Sequence, residues 1–444
     1  MTSDFIYLLL CLLAGIGIIV VLTTKYRITA FFALTIAAFV VGVGLGMPLL
    51  EVMQIVKDGF GNILKSLALI IILGTVLGAV LEYTGSTRVM ASYILQKVGE
   101  KRSPLAMSIT GFIVGLPIFC DSGYIVLSGL NNSIAKRTGI SLAVMATSLA
   151  TGLYAVHCMI PPHPGAAAAA GIIQVDIGRL VLFGTLVAIP AMLAGHFWAR
   201  YASRKIETPK NDHAGDEMHA DDEVLPSVWS AFLPIVVPIT LIAVKSFFTV
   251  DPLVTANWFQ KALIVGDPVI ALAIGVMLAF ACRRRWKKEA VSTLLHDGVE
   301  KAGGILLIIG AGGAFGAVLA AAKIGEHFSE ALPLASLGIL FPFLITAVIK
   351  TAQGSSTVAI ITAASIVLPL LPTLGLDNES GRLLSVMAMG AGSMMISHAN
   401  DAYFWVIAKF SGLRMKTMLS VYSVASCIMG LVSLSMVYLL SLFL

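Results

Sequence analysis

The sequence predicts an all-α polytopic membrane protein built as two inverted repeats, each with a re-entrant hairpin and a broken transmembrane helix. Three observations predict it. Hydrophobic residues fill 58% of the 444 positions and charged residues only 12%, about half the charge of an ordinary globular protein. About ten stretches approach the ~20 apolar residues that a bilayer span takes, with short polar breaks between them. Lys57-Asp58-Gly59, followed by Gly78-Ala79-Val80-Leu81, recurs as His296-Asp297-Gly298, followed by Gly316-Ala317-Val318-Leu319. The offsets are 239 residues from Asp58 to Asp297 and 238 from Gly78 to Gly316. A soluble enzyme, a secreted disulfide scaffold and a disordered chain are excluded.

In chain order the apolar segments run at about 5–23, 28–47, 63–83, 104–130, 140–173, 178–199, 228–249, 263–282, 302–322, 334–372, 383–408 and 417–443. Phe5 to Thr23 lacks a basic start and a small-residue cleavage site, so it reads as an uncleaved first span. The stretch 104–130 is interrupted by Gly115, Pro117, Asp121 and Gly123. The stretch 334–372 is too long for one span and is interrupted from Lys350 to Thr357. Pro161, Pro162, His163 and Pro164 lie inside 140–173.

If 104–130 and 334–372 each enter and leave on one side, and the N-terminus starts outside, 21 of the 29 Lys and Arg fall on the inner side. They run from Lys25 and Arg27, through the cluster Arg283 to Lys288, to Lys409, Arg414 and Lys416. That bias is the positive-inside rule. Full crossings would invert the intervening basic loops and erase it. Both termini are therefore expected outside the cell membrane. The domain reading is an N-terminal half at 1–199, a cytoplasmic polar linker at 200–227, acidic from Asp212 to Glu223, and a C-terminal half at 228–444.

The net charge of +5 is scattered through short loops, so the expected partner is the bilayer and not nucleic acid. The five cysteines show no CxxC or metal spacing. No metal and no cofactor is expected, and self-association is left open.

Four polar clusters interrupt the apolar sequence: Gly115 to Gly123, His157 to Gly165, Lys350 to Thr357, and Ser397 to Asp401. Non-helical backbone at membrane depth must be buried in protein or line a wet cavity, and charge there is a functional hypothesis by default. Asp121, with Ser122 and Gly123, reads as a substrate or proton site, or as a cap of the hairpin's second helix. Gln353, Gly354, Ser355, Ser356 and Thr357 have the chemistry of an anion cradle opening onto a helix N-terminus. Lys350 beside them is placed to meet a substrate carboxylate, or to snorkel. His157 and His398 are candidate proton carriers, His163 and Asn400 candidate substrate contacts, and Asp401 a candidate proton site. Asp121 and Asp401, set near an anion, would repel it when ionised and admit it when protonated. The glycine run Gly310 to Gly316 lacks the strand–turn–helix context of a nucleotide loop. Gly312 with Gly316, like Gly74 with Gly78, has the spacing of close helix packing.

These clusters, as GLPIFCDSG at 115–123, HCMIPPHPG at 157–165, AQGSSTVA at 352–359 and SHANDAYFW at 397–405, resemble the gluconate permease family over nearly the whole chain. The resemblance implies a proton-coupled symporter that imports gluconate or a related hydroxy-acid anion across a bacterial inner membrane. It also implies the wider ion transporter superfamily. The alternatives are a permease for D-serine or another small amino or hydroxy acid, a sodium-coupled carboxylate carrier, and an intramembrane enzyme. Broken helices in repeated positions favour a carrier.

Overall fold

The repeated motif marks the place where the two halves touch. The computed structural model describes residues 3–202, 225–250, 263–283, 286–322 and 336–444. Within it, helix α3 (Leu49–Tyr83) lies against helix α12 (Lys288–Ala321). A Cβ on Gly59 would sit 2.7 Å from Ala317 Cβ and 3.0 Å from Ala314 Cα. At the far end, a Cβ on Gly298 would sit 2.6 Å from Val76 Cγ2, and Thr75 Oγ1 donates to the Gly298 carbonyl at 3.1 Å. Rising numbers on α3 meet falling numbers on α12, so the pair is antiparallel. Gly59 stands to Gly298 as Thr75 stands to Ala314, with the same offset of 239. One contact is thus made twice about a pseudo-two-fold axis, which is what inverted repeats require.

Both helices are longer than expected. Hydropathy placed spans at 63–83 and 302–322, but the helices begin at Leu49 and Lys288. The preceding turns carry charged residues such as Lys57, Asp58 and Lys301, which hide helix from a hydropathy window without breaking it. At 1.5 Å per residue each helix is about 50 Å long, well beyond the ~30 Å hydrocarbon layer.

The remaining elements repeat around this pair. Helices α1 (Ser3–Thr24) and α2 (Ala30–Gly44) precede α3, and α10 (Val228–Val250) and α11 (Pro268–Ala281) precede α12. After α3 and the short α4 (Ser86–Val98) comes a hairpin of α5 (Ser103–Gly115) and α6 (Cys120–Thr138). Its feet are joined by an ion pair, Arg137 Nη2 to Glu100 Oε1 at 2.6 Å, so both ends lie on one side. The hairpin runs past the expected limit of 130 because α6 continues until Gly139, at φ 67°, stops it. After α12, α13 (Leu340–Gln353) and α14 (Ser356–Val367) form the second hairpin, turned at Gly354 with φ 92°. Residues 334 and 335, the first two expected for that hairpin, lie outside the described residues, as do 203–224 of the expected linker.

Each hairpin is followed by a broken helix. Helix α7 (Leu142–Met159) stops before Pro161-Pro162 and resumes as α8 (Pro164–Ile173), with Pro164 in its first turn. Proline has no N–H and restricts the residue before it. Helix α15 (Glu379–Ser393) stops and resumes as α16 (Ala402–Ser411). Helix α9 (Ile177–Ala202) closes the first half, and α17 (Met415–Leu440), with a π-helical turn at Leu419–Ser423, closes the second. Among the described residues six helical segments are long and apolar enough to cross a membrane, and five shorter apolar helices accompany them. The chain is a multi-pass membrane protein.

Glycine sets the close approaches. A Cβ on Gly78 would meet the Pro117 carbonyl of the first hairpin tip at 2.6 Å, and one on Gly74 would meet Pro162 at 2.9 Å. The corresponding Gly312 and Gly316 face Ile361 and Ser365 of α14. Gly312 and Gly316 pack helix on helix, as their spacing predicts, whereas Gly74 and Gly78 admit the non-helical breaks at Pro162 and Pro117. Gly59→Ala is expected to lower the thermal unfolding midpoint in detergent, costing about 1–3 kcal/mol by overpacking. Gly304→Ala, where a Cβ meets nothing within 4 Å, should be neutral or stabilising by up to ~1 kcal/mol.

Candidate functional site

The two halves interlock crosswise. Hairpin helix α6 reaches α16 of the other half: Tyr124 Oη bonds to Ser411 Oγ, and Asn132 Nδ2 donates to the Phe410 carbonyl at 3.0 Å. Hairpin helix α14 reaches α8: a Cβ on Gly165 would lie 2.9 Å from Ile360 Cδ1 and 3.3 Å from Thr357 Cα. The second hairpin thus meets α8 beside its break, whereas the first reaches the far end of α16. All four polar clusters are joined by direct contacts: Gly115 with His163, Thr357 with His157, and Lys350 with Asp401.

The centre of the second half is a buried ion pair. Lys350, on the last turn of α13, is fully buried, and its Nζ lies 3.2 Å from Asp401 Oδ2. The same oxygen accepts from Ser397 Oγ, and Asp401 Oδ1 accepts from the Tyr403 N–H at 2.9 Å, capping α16. Lys350 does not snorkel; its charge is met inside the protein. Several backbone groups of the loop 394–401 are met by side chains. Ser397 N–H donates to Ser426 Oγ at 3.0 Å, and its carbonyl accepts from Ser423 Oγ, on the π turn of α17. Trp405 Nε1 donates to the Ala399 carbonyl at 2.7 Å. His398 Nε2 lies 3.1 Å from the Thr351 carbonyl, and Asn400 Nδ2 donates to the Thr351 carbonyl at 2.8 Å and to that of Ala352 at 3.3 Å. His398 and Asn400 thus engage carbonyls that the end of α13 leaves free.

At the tip itself, Gly354 is wedged against Asn400, where its absent Cβ would collide with backbone. Ser355 Oγ accepts from the Val358 N–H at 3.3 Å and caps α14. Ser355 is exposed, Ser356 buried and Thr357 half-buried. Thr357 Oγ1 lies 3.5 Å from His157 Nε2. Gln353 Nε2 is buried without a partner.

In the first half the tie between hairpin and broken helix is a histidine. His163, at the position before α8 that Asp401 holds before α16, sets its Nε2 2.6 Å from the Gly115 carbonyl at the end of α5. Its ring lies 4.9 Å from that of His157. Asp121 does not cap α6: the N-cap is Phe119, which makes no side-chain bond, and Asp121 lies in the first turn. Its neighbour is Cys120 Sγ at 3.9 Å, and Asp401 lies within electrostatic reach. Ser122 is half-buried, and Gly123 packs against Leu153, where a Cβ would lie 2.7 Å from Cδ2.

Sequence reasoning passed over the residues that hold this site in place. Four buried tyrosines, Tyr124, Tyr154, Tyr403 and Tyr422, stack edge and face between α6, α7, α16 and α17, with centroids 5.7 to 6.4 Å apart. Ser423 and Ser426 carry the backbone of Ser397. The available signal was polar hydroxyls on otherwise apolar spans, spaced three apart in α17.

Lys350→Met is expected to destabilise the detergent-solubilised protein by about 3–5 kcal/mol, because it strands a buried carboxylate. Adding Asp401→Asn should recover most of that loss. Unfolding midpoints for the two single variants and the double variant check the coupling; additive losses would contradict it.

A family model described as GntP family permease matches residues 7–443. The chain is 34% identical to a gluconate permease of Pseudomonas aeruginosa, over 98% of each sequence. It is 32% identical to a high-affinity gluconate transporter of Escherichia coli, over 94% of this chain and 97% of the relative. It is also 30% identical to a D-serine transporter of Escherichia coli, over 98% of each. Among solved structures, the fold is similar to the YdaH transporter of Alcanivorax borkumensis, with TM-score 0.65, 17% identity and coverage of 93% and 98%. It is similar as well to MtrF of Neisseria gonorrhoeae, with TM-score 0.66, 18% identity and coverage of 88% and 83%.

Proposed function

The chain belongs to the GntP family of permeases, a transporter and not an enzyme, and we propose that it imports gluconate or a related small hydroxy-acid anion together with a proton. The observation that carries this reading is the buried Lys350–Asp401 pair beside the tip of the second hairpin. The substrate carboxylate takes the place of Asp401 on Lys350, supported by Ser355, Ser356, Thr357 and the N-terminus of α14. It can do so only when Asp401 is protonated and gives up the ammonium. Falling pH on the outer side therefore favours loading, and deprotonation on the inner side restores the ion pair and expels the anion. Asp121, within reach of Asp401, adds a second acid whose charge opposes anion entry until it is neutralised. The relatives that carry gluconate support the substrate class.

A second reading, a small amino acid such as D-serine, is favoured by Asp121. Among the described ion pairs its carboxylate has no cationic partner, and an ammonium would supply one. The D-serine relative supports it too.

The test is uptake of labelled gluconate, glycerate and D-serine into proteoliposomes under an imposed pH or Na⁺ gradient. Gluconate accumulation driven by an inside-alkaline gradient is expected. Accumulation with Na⁺ alone would overturn proton coupling. Asp401→Asn should abolish pH-driven accumulation while counterflow exchange at fixed pH continues.

The proposed setting is a bacterial inner membrane with both termini periplasmic, and the supporting observation is the placement of basic residues. Cysteines introduced at exposed Ser133 and Asn378 should be labelled from opposite sides of intact cells, the first from the cytoplasm. Labelling of both from one side would contradict the arrangement.

A further inference from the structure

Building on the hydroxy-acid reading, we propose that His157 is the residue that sets specificity, by hydrogen-bonding a hydroxyl group of the substrate as a neutral imidazole, and that His163 is its positioning residue. His157 lies three residues from the end of α7, beside the break, and faces the second hairpin tip: its Nε2 is 3.5 Å from Thr357 Oγ1. Its Nδ1 is buried and has no partner. Buried polar atoms are nearly always paired, so such an atom calls for an explanation. A second unpaired atom, Gln353 Nε2, is buried at the same hairpin tip.

The imidazole is held on two sides. The Tyr154 ring stacks on it at 6.5 Å and 14°, and the His163 ring meets it at 4.9 Å and 63°. His163 is itself fixed by the Gly115 carbonyl at 2.6 Å. The orientation of His157 is therefore set from the first hairpin while its ring edge faces the second.

The surroundings select the ligand chemistry. Among the described residues neither histidine bonds to a carboxylate, so no acid stabilises an imidazolium here. A neutral imidazole offers one donor and one acceptor. A hydroxyl group is likewise donor and acceptor at once, and it matches. A carboxylate is better met by Lys350 and the start of α14, and an ammonium by Asp121. A hydroxy acid with its carboxylate at the cradle would bring its chain of hydroxyls past the neighbouring Thr357 and His157.

The experiment compares uptake KM for gluconate and a set of monodeoxy gluconates in proteoliposomes holding wild-type protein, His157→Phe or His157→Gln. For the wild type, one analogue is expected to show a KM raised about tenfold or more, as sites built to bond a hydroxyl reject its absence. His157→Phe should raise the gluconate KM by a similar factor and leave that analogue's KM unchanged. His157→Gln, which keeps a donor and an acceptor, should preserve part of the discrimination, and it carries the test if the Phe variant fails to reach the membrane. The pH profile should be that of the wild type in both. An equal rise for gluconate and every analogue would overturn the proposal by making His157 structural. A flattened pH profile would overturn it by making His157 a proton carrier. Wild-type protein that takes up none of these acids overturns the hydroxy-acid reading itself, before any variant is made.

Discussion

Four interrupted helices at membrane depth impose one constraint on everything around them: each backbone group that a break frees must find a partner within the protein. The loop at 394–401 meets it with serines from α17 and a tryptophan from α16, and its Asn400 amide in turn serves the carbonyls at the end of α13. The end of α5 meets it with His163. These bonds join elements of the same half, so the breaks dictate which helices adjoin within it. The crosswise seating rests on other contacts, Asn132 with Phe410 and Thr357 with His157. The π turn at Leu419–Ser423 fits the same account, since it is the turn that presents Ser423 to the Ser397 carbonyl. Interruptions of that kind are often found at functional sites.

The pseudo-symmetry is close in backbone and broken in chemistry. Both halves tie the end of a hairpin helix to the residue that starts the second part of a broken helix. In the first half that residue is His163, bonded to a carbonyl; in the second it is Asp401, paired with Lys350. One tie is neutral and the other ionic.

Much of the fold was legible because its signals are local. Gly115, Pro117, Pro161 to Pro164 and Gly354 interrupt helices through their own backbone chemistry, so the breaks fell near their expected places. The repeat offset showed which residues of the two halves correspond, and the structure adds that the corresponding helices α3 and α12 pack on each other there. What escaped was of two kinds. Helix length was underestimated in α3 and α12 because hydropathy measures contact with lipid and not helical continuity. Partnership was not legible at all: Lys350 and Asp401 are 51 residues apart with two helix breaks between them, and no spacing rule joins them. The cap expected from Asp121 failed because the turn ends two residues earlier, at Phe119.

The Lys350–Asp401 pair also bears on why coupling would be tight. On the proposed exchange, with Asp121 neutralised as anion entry requires, the site has four states, set by whether Asp401 is protonated and whether a carboxylate is bound. With Asp401 ionised and no substrate, the trio is neutral. With Asp401 protonated and substrate bound, it is neutral again. Protonation without substrate leaves a lone ammonium in a site where Lys350 is shut off from solvent. Substrate without protonation places two carboxylates against one cation. Burying an uncompensated charge costs several kcal/mol even after relaxation, or about a thousandfold in population for each 4 kcal/mol. The two charged states are thus too scarce to carry the breaks across, and only the neutral ones remain to be moved. On that proposal, slippage of a proton or of an anion alone would be suppressed by desolvation, without any gate that senses occupancy.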